Sequence, residues 1–490
     1  MNAEKNILDV SGENKKPKLA LVNIIENKNI YPLNLVSLAT YLNEKMDIDI
    51  RIIDINYEDP FEAIIAFNPD IVGISSLTVT YPYAISLAKK IKNALNVPLL
   101  LGGAHPTTMP DSIDEIFDVV VIGEGEETLE QLLALYSGNS FAPEDLKKIR
   151  GIVFYQGNEL VITEQREFIV PLDKLPIPDL SFVKKDYFRK KDQHVFKGKV
   201  GIIANIMTSR GCPYNCVFCA SPSIWQRKVR FFSVKRVIDE IEYLVNTYNV
   251  NMIQVYDDVF SIGKSRLYEI IDGLEERNLL NKIVIACQSR ANIMDEELCE
   301  IFKKLNVLTV SFGFESGNEE MLRYLKKESV TVEQNKNAAL LTKKHGFNLY
   351  GSFIIANPGE KIGQIEETIK LIDFLKDIGA DGIDVYIASP LPGTEFWRYG
   401  VQQGRIPKEF DLDKIPNFYS PDNSFLKDSS LSQEQIEKIY SRVLEKLSFF
   451  SQRRSILNIL LYPKEPLLKT LKRAVMNPKE TFIRAITRLA

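Results

Sequence analysis

The chain has 490 residues, 45% of them apolar and 26% charged, with a formal net charge of −4 and five cysteines. That length exceeds one hydrophobic core and fits two or three domains, and the near-neutral charge excludes nucleic-acid binding through a global positive field. Five cysteines make no disulfide framework at this size, the N-terminus has no apolar signal core, and no apolar run of about 18 residues occurs, so the chain reads as cytoplasmic.

Residues 1–17 are polar and read as a flexible N-terminus. From 18 to 137 short β-branched runs alternate with helical-period segments: LALVNI, LNLVSLATYLNEK, IRIIDI, PFEAIIAF, IVGISSL, YAISLAKKIKNAL, PLLLGG and VVVIGEGE. Strands apolar throughout, joined by amphipathic helices, predict a five-stranded parallel sheet covered on both faces, a doubly wound Rossmann-like α/β domain. Its ligand belongs at the carboxyl ends of the strands, where Ser75, Ser76, Gly102, Gly103, Gly123 and Gly125 lie. Residues 138–197 break the pattern into a hairpin, GIVFYQGNELVITE, and the proline-bearing PLDKLPIPDLSF, and read as a linker. From 198 to 400 the alternation resumes as six β/α units, which predicts a partial barrel of TIM type with its chemistry at the strand carboxyl ends. Residues 401–490 read as helical and increasingly basic, with nine Lys/Arg against Glu465 and Glu480 between Arg453 and Ala490.

Directly after the first barrel strand stands TSRGCPYNCVFCASPS, with Cys212, Cys216 and Cys219 in a Cys-x-x-x-Cys-x-x-Cys spacing. In a Gly/Pro/Asn-rich loop three thiolates can converge on one point, as metal ligands do. A structural zinc site wants four ligands, and no fourth Cys or His lies nearby; three fit an iron–sulfur cluster with one iron left open.

SRGCPYNCVFC closely resembles the cluster loop of the radical S-adenosylmethionine (radical SAM) superfamily. The resemblance implies that Cys212, Cys216 and Cys219 bind three irons of a 4Fe-4S cluster. The fourth iron is then chelated by the methionine moiety of S-adenosylmethionine, whose reductive cleavage yields a 5′-deoxyadenosyl radical. It also implies that Phe218 packs near adenine, that Asp257 and Asp258 of YDDVF hold the methionine amine, and that Glu315 and Ser316 of FGFESG contact ribose and methionine. FIIANPGE is similar to the family's Ile-x-Gly-x-Pro-Gly-Glu, with Ala356 in place of the first glycine. ASPLPGTEF, with Pro392 and Gly393, is similar to the turn after strand six.

The first domain lacks G-x-G-x-x-G after its first strand, which continues NIIENKNIYPLN. Its Ser-x-Leu (Ser75, Leu77) and Gly-Gly (Gly102, Gly103) resemble the cobalamin-binding fold, in which small residues line a slot for the cofactor's nucleotide tail. Together with VIGEGEET (Gly123, Glu124, Gly125) and the partial barrel, they give the order of the cobalamin-binding radical SAM enzymes over residues 18–400. The Asp-x-His-x-x-Gly loop that supplies an axial histidine is absent, so cobalt should lack a histidine from it; His105 reads as a helix cap or a contact to the nucleotide tail. The family implies methylation of an unactivated carbon of a small molecule or lipid, with a flavodoxin or ferredoxin as low-potential electron donor. The alternatives are a cyclase or rearrangement enzyme without net methylation, and a cobalamin sensor or carrier. A methylthiotransferase acting on transfer RNA would need a second cysteine triad, and residues 1–200 contain no cysteine. The basic tail reads as a helical cap on the barrel or as a peripheral contact with anionic lipid.

Overall fold

The computed structural model describes residues 16–138, 141–192, 196, 199–406 and scattered positions between 432 and 442. The N-terminal segment and the basic tail, with both readings of that tail, lie outside the described residues.

The first domain is a sheet of strands β1 (Lys18–Asn23), β2 (Asp49–Asp54), β3 (Ile71–Ser75), β4 (Leu99–Gly102), β5 (Val119–Val121), β6 (Ile152–Gln156) and β7 (Glu159–Ile162), in the order β2-β1-β3-β4-β5-β6-β7. The pairs from β2 through β5 are parallel, as their unbroken apolar runs require: successive residues point to opposite faces, and both faces are buried. On β1, Leu19 and Leu21 enter one core with Leu35 and Leu42, while Ala20 and Val22 enter the other with Ile85 and Ala88.

Five strands were expected and seven are present. The hairpin assigned to the linker is β6 and β7, which pair antiparallel onto β5 through Val120↔Val153 and Val121↔Ile152. A three-residue β5 would otherwise end the sheet with a bare row of backbone donors and acceptors. The rest of the linker is also bound to the first domain: the Tyr187 hydroxyl donates to Asp54 Oδ2 at 2.5 Å, and the Asp179 amide donates to Thr40 Oγ1 at 2.8 Å.

After two short antiparallel strands, β8 (Lys191–Asp192) and β9 (Val200–Gly201), the second domain begins with β10 (Ile203–Ile206). A second small pair, β11 (Ser209–Arg210) and β12 (Arg230–Phe231), brackets the cysteine loop. Then follow β13 (Met252–Val255), β14 (Val284–Ser289), β15 (Val307–Glu315), β16 (Asn348–Ile355) and β17 (Gly382–Ile387). The six strands lie in sequence order, β10-β13-β14-β15-β16-β17, all parallel, and β17 does not pair back onto β10. This is the six-unit partial barrel expected from the sequence. The open edge of its first strand is met by the other domain: the Tyr31 hydroxyl donates to the Asn205 carbonyl at 2.6 Å and accepts from the Asn205 amide at 3.1 Å.

Asp54 is buried and also accepts from Asn23 and Asn56, so it depends on its donors. Tyr187→Phe should therefore cost about 1–3 kcal/mol, read as a lower urea midpoint with an unchanged slope.

Candidate functional site

A mostly apolar cavity, about 1250 Å³ of atom-free space counted with its open mouth, lies between the two domains, at the carboxyl ends of β3, β4 and β5. Six of the residues singled out in the sequence share its wall: Ser75, Gly102, Gly103, Gly123, Glu124 and Gly125. Leu77 does not; it is 39% exposed and lies off the cavity. Asn34 Nδ2 donates to Ser75 Oγ at 3.0 Å, which fixes the hydroxyl at the rim. The two adjacent glycines have different reasons to be glycine. At Gly102 an added Cβ would sit 4.0 Å from Val121, so that position opens on the cavity. At Gly103, where φ is +108°, it would fall 2.5 Å from the Ser76 carbonyl oxygen, so that position is fixed by the fold.

His105 is neither a cap nor part of the cavity wall. It is buried inside the short helix Ala104–Thr108, with Nδ1 at 3.3 Å from Thr78 Oγ1 and its ring 4.0 Å from that of Tyr81. Burial pushes its pKa down to about 3, so it is a neutral packing residue at physiological pH.

The opposite wall comes from residues that sequence reasoning passed over: Met207, Arg210, Trp225 and Phe232 of the barrel, and Pro176 and Pro178 of the linker. Arg210 forks across the interface to Glu124 Oε1 at 2.5 Å and Glu126 Oε1 at 2.7 Å. Arg230 reaches Glu124 Oε2 at 2.7 Å, and the Ile169 amide donates to the same oxygen at 2.8 Å. Burial alone would raise the Glu124 pKa; the two guanidinium groups and the amide outweigh it and hold the carboxyl below its ordinary range. Glu124, a candidate cofactor contact, thus spends both oxygens on joining the domains.

Two residues after Arg210 comes Cys212. The three loop cysteines are unpaired thiols that lie within one another's electrostatic reach. Among the described residues no three Cys, His, Asp or Glu side chains converge closely enough for a single metal ion. Burial pushes the Cys212 thiol up, and the Cys219 thiol up to about 12, so thiolates here need a positive partner. The loop is pinned from two sides: the Val217 amide donates to the Leu325 carbonyl at 3.0 Å, and the Phe396 amide to the Val217 carbonyl at 3.3 Å.

Asp257 and Asp258 separate in role. Asp257 is fully buried beneath the loop and accepts from the Thr208 amide and hydroxyl at 2.6 and 2.5 Å and from the Ser209 hydroxyl at 2.7 Å. It holds the strand-to-loop junction and has little capacity left for the methionine amine expected of it. Among the described residues Asp258 accepts only from Ser221 Oγ, at 2.8 Å, and it lies near Cys212 and Cys219. Phe218 and Glu315 are brought together through Lys326, whose Nζ is 2.9 Å from Glu315 Oε1 and 5.5 Å from the centre of the Phe218 ring. Ser316 is buried against Thr368, with 3.1 Å between hydroxyls. Pro392 is buried, and Gly393 packs against Thr108 of the first domain and Ser223 after the cysteine loop, so this turn is a three-way junction. Ala356, in the glycine position, has φ of +68°.

A model of the B12 binding domain matches residues 27–133, and one of the radical SAM superfamily matches residues 206–372. An uncharacterized methyltransferase of Pyrococcus horikoshii is 33% identical over 86% of this chain and 87% of its own length. The chain belongs to the cobalamin-binding radical SAM enzymes. An anaerobic magnesium-protoporphyrin IX monomethyl ester cyclase of Cereibacter sphaeroides is 30% identical over 75% of this chain, which spans 58% of that relative. In fold, the chain is similar to the radical SAM methyltransferase TsrM from Kitasatospora setae, solved with cobalamin and a 4Fe-4S cluster, with a TM-score of 0.67, 18% identity and coverage of 79% of this chain and 78% of that one. The cofactors are those of the family: cobalamin, a 4Fe-4S cluster and S-adenosylmethionine.

Gly102→Leu should abolish corrinoid retention and leave the iron–sulfur absorbance intact, because the position lines the cavity and an added Cβ there meets Val121 at no less than ordinary van der Waals distance. Gly103→Leu should instead lose soluble expression. Glu124→Ala, which takes the carboxylate partner from buried Arg230 and one of two from Arg210, should lower stability by about 3 kcal/mol in a denaturant titration.

Proposed function

We propose that this enzyme transfers a methyl group to an unactivated carbon of a small-molecule substrate, with Cys212, Cys216 and Cys219 holding the cluster and the interdomain cavity holding cobalamin. The observation that carries this reading is the shared wall. Gly102 and Ser75 of the first domain face Met207 and Arg210 of the barrel across one cavity, and Arg210 lies two residues before the first cysteine. When bound, cobalamin supplies the methyl group and the cluster the electron that cleaves S-adenosylmethionine. The chain's own part is positional. The Arg210–Glu124 contact sets the separation of the two cofactor sites, Asp257 fixes the base of the loop, and the apolar wall excludes water from the reacting centre.

Asp258, free of backbone donors, is better placed than Asp257 for the methionine amine. A flavodoxin or ferredoxin is the proposed electron source. No helix among the described residues is long and apolar enough to cross a membrane. The Cereibacter relative keeps a second outcome in view, cyclisation without net methylation. A sensor or carrier is disfavoured by the complete cysteine loop.

Anaerobically reconstituted protein, given S-adenosylmethionine labelled in its methyl group and a cell extract, should form 5′-deoxyadenosine and a product heavier by the labelled methyl. 5′-Deoxyadenosine formed with substrate consumed but unlabelled would favour the cyclase outcome. Cys212→Ala, Cys216→Ala and Cys219→Ala should each lose the iron–sulfur absorbance, whereas Cys287→Ala and Cys299→Ala, buried in the core, should retain it.

A further inference from the structure

The inner face of the partial barrel is polar above its floor. Along β10 and β13, Ala204, Ile206, Ile253 and Val255 pack outward with the helices, while Ile203 and Met252 join Phe196 and Ala286 in a small separate core that closes the bottom of the barrel. The next residues on that inner face are Asn205 and Gln254, which are register partners. Further round, Gln288 pairs in register with Ser311 and Ser311 with Tyr350, and one rung higher Ser352 pairs with Asp384. Cys287, Val310 and Phe353, between them, belong to the outward core, so these polar residues share the inner face.

Asn205 is the decisive member. It is 1% exposed, and both its amide oxygen and its amide nitrogen are buried without a hydrogen-bond partner among the described residues. Buried amides are almost always paired, because leaving one dry and unmade is costly, so this one marks a place where a partner is to arrive. The next inward position on the same run is Met207, about 7 Å further along and part of the cobalamin-side wall. Asn205 therefore lies two residues before a residue of the cavity wall. The residues at the strand ends, Asp258, Glu315 and Ser316, lie further up, toward the cysteine loop.

Resting on the proposed methyl transfer, we infer that the substrate is a polar, hydrogen-bonding metabolite of the carbohydrate, nucleoside or amide class, seated against Asn205, Gln254, Gln288, Ser311 and Ser352, and not a hydrocarbon lipid. A hydrocarbon laid on this inner face would leave Asn205 unpaired and strip water from two further carboxamides and two hydroxyls, and return no hydrogen bond. A molecule rich in hydroxyl or amide groups exchanges those bonds one for one. Sites built this way reject analogues that lack the matching polar group by large factors.

The test uses holoenzyme loaded with cluster and cobalamin, S-adenosylmethionine labelled in the methyl group, and an extract of the producing cells partitioned into aqueous-methanol and chloroform phases. Label transferred to a compound of the aqueous phase is expected. Label confined to the chloroform phase would overturn the polar-substrate inference and leave methyl transfer standing; label in neither phase would count against both. With the aqueous acceptor isolated, Asn205→Leu and Gln254→Leu, chosen for similar volume and checked for intact cluster and corrinoid spectra, should each lower kcat/KM by about a hundredfold, mainly through KM. Unchanged kinetics in both variants would also overturn the inference.

Discussion

The four-residue ionic contact of Glu124 and Glu126 with Arg210 and Arg230 is the constraint on which the rest of the site depends. Glu124 lies in the loop after the last parallel strand of the first sheet and Glu126 begins the helix that follows, while each guanidinium lies on one of the short strands bracketing the cysteine loop. Two domains that touched only through apolar surface could slide by a side chain's width. Charges taken out of water and matched oxygen to nitrogen cannot, because any slip leaves one of them buried and alone. The cavity between the domains is thereby held at a fixed distance from the cysteine loop.

Much of this was legible in the chain. Unbroken apolar strands gave the parallel sheets, and the placing of Ser75, Gly102, Gly123 and Gly125 at strand ends was enough to bring them to one cavity. What could not be read was everything that depends on the partner across the gap. Glu124 looks like a cofactor contact in sequence because nothing local shows that Arg210 and Arg230 will reach it. Asp257 and Asp258 are neighbours with the same chemistry, and only the fold shows that one faces the buried Thr208 and Ser209 while the other faces the loop. The hairpin was assigned to a linker because an antiparallel addition to a parallel sheet leaves no signature in helix–strand alternation.

Arg290 illustrates a signal that was present and missed. It ends the third barrel strand, the position from which this class of sheet presents functional groups. It stacks 3.5 Å from the centre of the Tyr214 ring, donates to Ser329 at 2.7 Å and brings a nitrogen to 3.4 Å from Cys216 Sγ. Its positive charge opposes, without outweighing, the burial that pushes the Cys212 thiol up.

The division of the latch between distant parts of the chain also has a temporal side. A polypeptide leaves the ribosome N-terminus first, so Glu124 and Glu126 emerge well before Arg210 and Arg230. Until those arginines appear, the two carboxylates have no buried partner and stay hydrated, which keeps the rim of the first domain wet and unclosed. Tyr187 can tie the linker to Asp54 in that interval, completing the body of the domain but not its mouth. The first domain is thus built to be finished by the arrival of the second, with its binding face left accessible until then.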